Sequence, residues 1–249
     1  MSQTGNFGKL VNEYDKVRPR YASKIMKLIF EAIEKQNNVN PLILDLACGT
    51  GIATRQIAKK MGTVIGCDID EEMIHAAVSY KTANASYVVG SSERLPFRDN
   101  TFDIITIFTA FHWFSTKKAM KEIKRVLKEK GSLCIIQPRH VASFSSDLRN
   151  ILAEFLNKDL TPKYGMKDFE TVFIENGLTK YVSTKLKVTD KFSLEDYLTL
   201  IQSYSVWNEV PEEKKKEALQ ILKKHYKGLL VNEKIHDKQE TEVIVVRNI

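Results

Sequence analysis

Short apolar runs alternate with segments whose apolar residues recur at helical spacing. The segment 20–35, for example, places Ile25, Leu28 and Ile29 on one helix face. Apolar runs predict buried strands at 42–46, 64–67, 87–89, 102–107 and 133–136. Helices are predicted at 20–35, from 50 to 60, at 71–80 and at 117–127, and a turn at Gly131. This alternation predicts parallel strand pairing through right-handed crossovers.

The last third of the chain is richer in helical patterns. Helices are predicted at 143–156, 167–176, 193–205 and 211–226, and strands at 182–188 and 242–246. The final strand is β-branched and follows the other elements, so we expect it to insert antiparallel into the sheet. The pattern predicts one α/β domain, a Rossmann-like seven-stranded mostly parallel sheet with helices on both faces and helical cap elements. Its parts are an N-terminal lid and helix (1–40), a ligand-binding core (41–138) and a C-terminal portion (139–249).

Composition and charge limit the function classes. Apolar residues make up 43% of 249 residues and charged residues 28%, as in soluble globular proteins. The formal net charge is +7, but lysines alternate with glutamates, as in 212–217, which favours a solvated surface over a nucleic-acid face. We therefore expect no nucleic-acid partner, and a monomer or weak dimer.

The cysteines and the N-terminal segment indicate a reducing compartment. Cys48, Cys67 and Cys134 lie far apart without CxxC spacing, so the sequence predicts neither a disulfide framework nor a metal site. The first 21 residues contain no apolar stretch of signal-peptide length, and no later run approaches the roughly 18 apolar residues of a membrane span. We expect a cytoplasmic protein without membrane insertion.

The segment 45–51, DLACGTG, carries the clearest chemistry. Gly49 and Gly51 stand in a tight turn between a strand and a helix, where backbone can approach a ligand closely. Helix N-terminal N–H groups beyond the turn favour a carboxylate or phosphate. Asp68 follows at the end of the next strand, where a carboxylate can accept from both ribose hydroxyls. Turn and acid together predict a nucleoside site, whereas the glycines alone would fit an ordinary tight turn.

These motifs resemble the class I S-adenosylmethionine-dependent methyltransferases, specifically the small-molecule branch that includes trans-aconitate methyltransferase-like (methyltransferase type 11) proteins. The resemblance rests on LDLACGTG, GCDID, GSSERLPF, FDIITIFTAFHWF and GSLCIIQP, and extends to YDKVRPRY and LIQSYSVW. A dehydrogenase would place its third glycine where Thr54 stands, which disfavours NAD. Ala47 replaces the family's first loop glycine, a departure that is harmless only if this residue has negative φ and room for its methyl group.

The resemblance implies a set of donor-binding residues. Asp68 binds the ribose, Ile69 and Met73 flank the adenine, and 91–93 (Ser91, Ser92 and Glu93) lie at its far edge. The remaining implied positions are Asp45, Ala47, Gly49, Gly51, Phe108, Tyr14 and Arg18. Arg18 would pair with the methionine carboxylate and Tyr14 would close over the sulfonium, within a lid formed by residues 1–21. The alternative interpretation is that both are ordinary surface residues without a role in binding.

The acceptor side follows the fourth strand. His112 stands in an aromatic segment, 108–114, where it would remove an acceptor proton or only order the loop. An Asx-Pro-Pro-aromatic loop is missing there, which disfavours base N-methylation. The resemblance thus implies a small-molecule acceptor, and a carboxylic acid would suit Arg20, Arg139 and Gln137. The rivals are a non-catalytic S-adenosylmethionine-binding protein and an RNA methyltransferase.

Overall fold

The computed structural model describes residues 15–34, 40–114, 116–140, 144–161, 169–178 and 181–247. It contains a seven-stranded sheet of order β3-β2-β1-β4-β5-β7-β6, mostly parallel with an antiparallel last strand, as the sequence predicted. The strands are β1 (Leu42–Leu46), β2 (Thr63–Asp68), β3 (Ala85–Val89), β4 (Phe102–Phe108), β5 (Leu127–His140), β6 (Tyr181–Phe192) and β7 (Ile235–Arg247).

Helices connect the strands. They are α1 (Ser23–Glu34), α2 (Ile52–Ala58), α3 (Glu71–Ser79), α4 (Lys117–Val126), α5 (Phe144–Leu156), α6 (Phe169–Glu175), α7 (Leu194–Ile201) and α8 (Lys215–Lys227). Short 3₁₀ helices occur at Phe111–Trp113, Ser205–Glu209 and Glu212–Lys214. Among the described helices, none has the length and apolar character needed to cross a membrane.

The central strands are short, apolar and aligned at their carboxyl ends. Leu46, the last residue of β1, pairs with Cys67 of β2 and with Ile107 of β4. The residues that follow these strands therefore emerge at one edge of the sheet. In parallel α/β sheets that edge is the usual place for a ligand.

The strand β5 differs from its prediction. It begins at Leu127, which the sequence assigned to the preceding helix, and it continues beyond 133–136 to His140. The register with β4 shifts between Phe102 and Ile104, so the predicted turn at Gly131 lies within an irregular part of the strand. Leu127 joins the sheet opposite Phe102, and both side chains are buried in the same core, a pairing that a local apolar pattern does not reveal.

The C-terminal elements also differ at their ends. The strands β6 and β7 extend beyond the predicted 182–188 and 242–246 through polar stretches, 189–191 and 236–241, in which no apolar run marks a strand. The helix predicted at 193–205 ends at Ile201, and a 3₁₀ helix follows from Ser205. The helix predicted at 211–226 begins with a 3₁₀ turn at Glu212–Lys214 before α8. Pro211 separates the two regions, because the residue before a proline disfavours helical backbone.

The chain divides into two compact units. Of the described residues, one unit contains those within 20–138, 169–186 and 241–247, and the other those within 15–19, 139–161 and 187–240. The first, which we call the sheet unit, has a core that includes Ile105, Met120 and Ile135. The second, the helical unit, has its own core around Trp207 and Leu222.

Candidate donor-binding site

A left-handed turn connects β1 to α2. Ala47, Gly49 and Gly51 all have positive φ, at 57°, 53° and 77°. The N–H of Gly51 donates to the carbonyl of Cys48 at 2.9 Å, and the N–H of Arg55 donates to the carbonyl of Gly51 at 2.9 Å. The turn thus ends where α2 begins, and its unusual backbone explains the glycines at two of its positions.

Ala47 does not have the negative φ that would make the replacement of glycine harmless. It adopts the left-handed conformation that a glycine would take at that position. An L-residue in this region costs about 1–2 kcal/mol, because its Cβ crowds the following carbonyl oxygen. The turn therefore keeps its shape despite the substitution, at a cost in stability.

Gly49 and Asp68 are joined by a hydrogen bond. The Gly49 N–H donates to Oδ2 of Asp68 at 2.8 Å, and the Asp70 N–H donates to Oδ1 at 3.0 Å. The Ile69 backbone also hydrogen-bonds to this carboxylate, and of the roughly four acceptor positions on its two oxygens at least one remains for a hydroxyl. Burial raises the pKa of Asp68, although these backbone hydrogen bonds oppose the rise.

The side chain of Asp45 is buried and accepts hydrogen bonds from two threonines. Its Oδ2 accepts from the Thr54 hydroxyl at 2.5 Å and its Oδ1 from the Thr106 hydroxyl at 3.0 Å. The carboxyl is buried, and burial raises its pKa to about 6. Asp45 therefore ties β1 to α2 and β4 beneath the turn. Its direct part in donor binding stays a prediction.

The two glycines of the turn have different surroundings. A Cβ added to Gly49 would meet no described atom within 4 Å, so this position faces open space. A Cβ added to Gly51 would lie 2.6 Å from the hydroxyl oxygen of Tyr87. Gly49 thus fits the close approach of a ligand, whereas a glycine at position 51 is required by the packing of Tyr87 from β3. Donor contact by either glycine stays a prediction.

Two apolar side chains, Ile69 and Met73, follow Asp68 at the end of β2. Asp70 caps α3 through hydrogen bonds from the N–H groups of Glu72 and Met73. Met73 is buried on that helix, while the side chain of Ile69 is 56% exposed. An exposed isoleucine next to a ribose-type carboxylate suits one face of an adenine ring.

The segment after β3 is held by local hydrogen bonds. The Arg94 N–H donates to the Ser91 carbonyl at 3.0 Å, and the Glu93 N–H donates to the Ser91 hydroxyl at 3.3 Å. The Glu93 carboxylate accepts from the Thr116 hydroxyl at 3.1 Å. The structure thus connects Glu93 to the start of α4; adenine contacts by Ser91, Ser92 and Glu93 stay predictions.

Sequence reasoning missed Tyr21 and Gln56. The Tyr21 N–H donates to Oε1 of Gln56 at 2.9 Å, and Nε2 of Gln56 donates to the Tyr21 carbonyl at 3.0 Å. This pair of bonds holds Tyr21 against Phe108, with ring centroids 4.4 Å apart. Phe108 ends β4, so these two rings, tilted at 48° to each other, lie at the ligand edge of the sheet. A glutamine on a helix gives no sequence signal for this contact.

His112 and Trp113 project from the 3₁₀ helix after β4. Their ring centroids are 4.8 Å apart, and Trp113 is 55% exposed. Desolvation by the surrounding protein lowers the pKa of His112 below its ordinary value. The imidazole is therefore mostly neutral at pH 7 and can accept a proton.

The remaining predicted residues, Arg18, Arg20, Gln137, Tyr14 and Arg139, have separate surroundings. Arg18 lies in the helical unit with its guanidinium 6.0 Å from the ring centre of Tyr204, and Arg20 is exposed. Gln137 is buried, with Nε2 3.4 Å from the Pro138 carbonyl. Tyr14 and the Arg139 side chain lie outside the described residues, so the lid and its contacts stay predictions.

The site fits a nucleoside-containing methyl donor. Gly49 leaves open space, Asp68 keeps an acceptor position for a hydroxyl, and Ile69 offers an exposed apolar face. Within the described ranges, no group of three His, Cys, Asp or Glu side chains is placed to hold a metal ion.

Comparison with known proteins agrees with this geometry. Residues 44–135 match the methyltransferase domain family Methyltransf_11. The chain is 29% identical over 209 residues to an uncharacterized methyltransferase of Schizosaccharomyces pombe, covering 83% of this chain and 81% of that protein. It is 31% identical over 175 residues to the ubiquinone/menaquinone biosynthesis C-methyltransferase of Hydrogenovibrio crunogenus, covering 65% and 66%.

A solved structure shares the fold. Phosphoethanolamine N-methyltransferase 2 of Haemonchus contortus, in complex with S-adenosyl-L-methionine, superposes with a TM-score of 0.57 at 17% identity, covering 99% of this chain and 58% of that one. The predicted trans-aconitate branch is not distinguished by these matches. The chain is therefore an S-adenosylmethionine-dependent methyltransferase of the class I fold.

Proposed function

We propose that the enzyme methylates a small-molecule acceptor that binds at the carboxyl end of β4, beside His112 and Trp113. The observation that carries this proposal is the 55% exposure of Trp113 in the 3₁₀ helix that follows the buried strand β4. An exposed indole at the ligand edge offers a flat apolar surface on which a planar molecule can stack. Phe108, at the end of β4, and Tyr21, which contacts its ring, add further aromatic side chains at this edge of the sheet.

The residues divide the work of the reaction. When bound, the donor supplies a methyl group on a positively charged sulfur, which is already an activated leaving group. Asp68 and the Gly49 turn hold its nucleoside part, and the aromatic side chains exclude water. His112, kept neutral by its lowered pKa, accepts a proton from an acceptor hydroxyl or acidic carbon.

Two acceptor classes follow from these residues. A carboxylic acid is the class expected from the resemblance, and it needs no proton removal. A hydroxylated aromatic such as a quinol is favoured by the named function of the Hydrogenovibrio relative. Gln137 is compatible with either class: its buried Oε1 has no hydrogen-bond partner in the described part of the chain and would accept from a hydroxyl, and the second hydrogen of its Nε2 would donate to a carboxylate.

One experiment tests both classes. The enzyme is incubated with labelled donor and a panel of quinols, phenols and carboxylic acids, and products are identified by mass spectrometry. His112→Gln should lower kcat at least about tenfold for a hydroxyl or carbon acceptor and leave a carboxylate acceptor unaffected. Wild-type activity should fall as pH drops through the His112 pKa, below its ordinary 6.5, because protonation removes the base.

Nucleic acid is the contrasting acceptor. A protein that binds RNA through phosphate contacts loses affinity steeply as salt rises. Methylation of RNA but of no member of the small-molecule panel, together with such a salt dependence, would overturn the proposal. Methylation of a panel member with no RNA binding near physiological salt supports it.

A further inference from the structure

A buried arginine lies directly behind the donor turn. Arg55 belongs to α2, and its side chain folds back so that Nη1 donates to the carbonyl of Thr50. The residue is only 8% exposed. A guanidinium stays charged in proteins, so burying it is costly unless neighbouring groups stabilise the charge.

Aromatic residues from two other elements surround this charge. The guanidinium carbon lies 4.3 Å from the ring centre of Tyr80, at the end of α3, which is a cation–π distance. Burial raises the pKa of Tyr87 to about 12, and the positive charge of Arg55 opposes that rise. Tyr87 comes from β3, so Arg55 connects α2 with the end of α3 and with β3.

Tyr87 packs against the same turn. A Cβ on Gly51 would lie 2.6 Å from the Tyr87 hydroxyl oxygen, and a Cβ on Gly66 would lie 2.6 Å from its Cδ1. Arg55 therefore fixes the Thr50 carbonyl while Tyr87 supports Gly51 from the side of β3. Both contacts act on the left-handed backbone whose opposite side, at Gly49, faces open space.

We propose that Arg55 is a positioning residue for the methyl donor. Its hydrogen bond to Thr50 keeps the turn in the conformation that leaves space at Gly49 and aims the Gly49 N–H at Asp68. Without it, the turn samples other conformations, and donor binding must first restore the left-handed one. The effect is thus expected in donor affinity and in turn dynamics, with no contact between Arg55 and the reacting atoms.

The test compares three variants of the full chain by calorimetry with S-adenosylhomocysteine. Arg55→Met removes the charge and the hydrogen bond at similar length, Arg55→Lys keeps only the charge, and Lys60→Met removes an exposed charge just beyond the same helix. We expect Kd to rise about tenfold or more for Arg55→Met, about fivefold for Arg55→Lys, and to be unchanged for Lys60→Met.

Hydrogen exchange of the ligand-free proteins separates positioning from general stability. In Arg55→Met the amide of Gly51 should exchange faster, while amides of β4 keep wild-type protection. Wild-type donor affinity in a folded Arg55→Met protein, or faster exchange across the whole sheet unit, would overturn the proposal. If Arg55→Met does not fold, Arg55→Lys decides: wild-type Kd and wild-type Gly51 exchange overturn it. No acceptor is present, so the result does not depend on the proposed acceptor.

Discussion

The Gly49 N–H donates a hydrogen bond to Oδ2 of Asp68 at 2.8 Å, so the donor turn and the carboxylate at the end of β2 form one hydrogen-bonded unit. The carboxylate orients the turn, and the turn in turn holds Oδ2 in place. Substitution of Asp68 therefore removes a hydroxyl acceptor and a support of the turn together.

We predict that Asp68→Ala weakens binding of S-adenosylmethionine by about 1.5–3 kcal/mol, as expected for losing hydrogen bonds to a charged group. Calorimetry measures the change, and Glu72→Ala, an exposed acid on the next helix, is the control. Because burial raises the pKa of Asp68, affinity should also start to fall on acidification at a higher pH than for an ordinary aspartate. Unchanged affinity in Asp68→Ala would remove this residue from the ribose role.

The two turn glycines should respond differently to substitution. Gly49→Val is predicted to prevent donor binding, because a branched side chain would fill the open space. Gly49→Ala serves as the control for the positive φ, which alone costs about 1–2 kcal/mol of folding stability. A natively folded Gly49→Val protein that retains donor affinity would refute the close-approach argument.

Gly51→Ala should mainly destabilise the fold, by about 1–3 kcal/mol beyond the cost of its positive φ, because its Cβ would clash with Tyr87. Urea unfolding measures the loss. Combining Gly51→Ala with Tyr87→Leu should cost less than the sum of the single changes, since the shorter side chain removes the clash. Additive losses would show that Tyr87 does not impose the glycine.

These glycines show how far sequence reasoning reaches. The central strands were predicted closely because each is a local apolar run, and β1 was predicted at Leu42–Leu46 without error. Asp68 was predicted from its spacing to the turn. The packing of Tyr87 against Gly51 could not be predicted, because Tyr87 lies far away in the sequence and reaches the turn only through the pairing of β2 with β3. Arg55, Gln56 and Tyr21 depend on tertiary contacts in the same way.

Asp45 should make stability depend on pH. Burial raises its pKa from 3.8 to about 6, so the folded state binds a proton more readily than the unfolded chain. The contribution of Asp45 to stability therefore grows as pH falls through 6 toward 4, by about 3 kcal/mol in total. We predict that Asp45→Asn flattens this part of the curve of unfolding free energy against pH. The exposed substitution Glu129→Gln is the control, and an unchanged slope in Asp45→Asn would contradict the buried, proton-binding role.

The pair of hydrogen bonds between Gln56 and the Tyr21 backbone gives the last prediction. Gln56→Leu keeps most of the side-chain volume but removes both bonds, so Tyr21 should no longer be held against Phe108. We expect the Tyr21 amide to exchange faster with solvent and donor affinity to fall by about 1 kcal/mol, the net value of an ordinary hydrogen bond. Hydrogen exchange and calorimetry on the same samples measure the two effects, with Gln220→Leu on the exposed side of α8 as the matched control. If Tyr21 exchange increases while donor affinity stays unchanged, the Tyr21–Phe108 ring contact serves the acceptor side alone. If neither changes, Tyr21 is held in place by other contacts of the sheet unit.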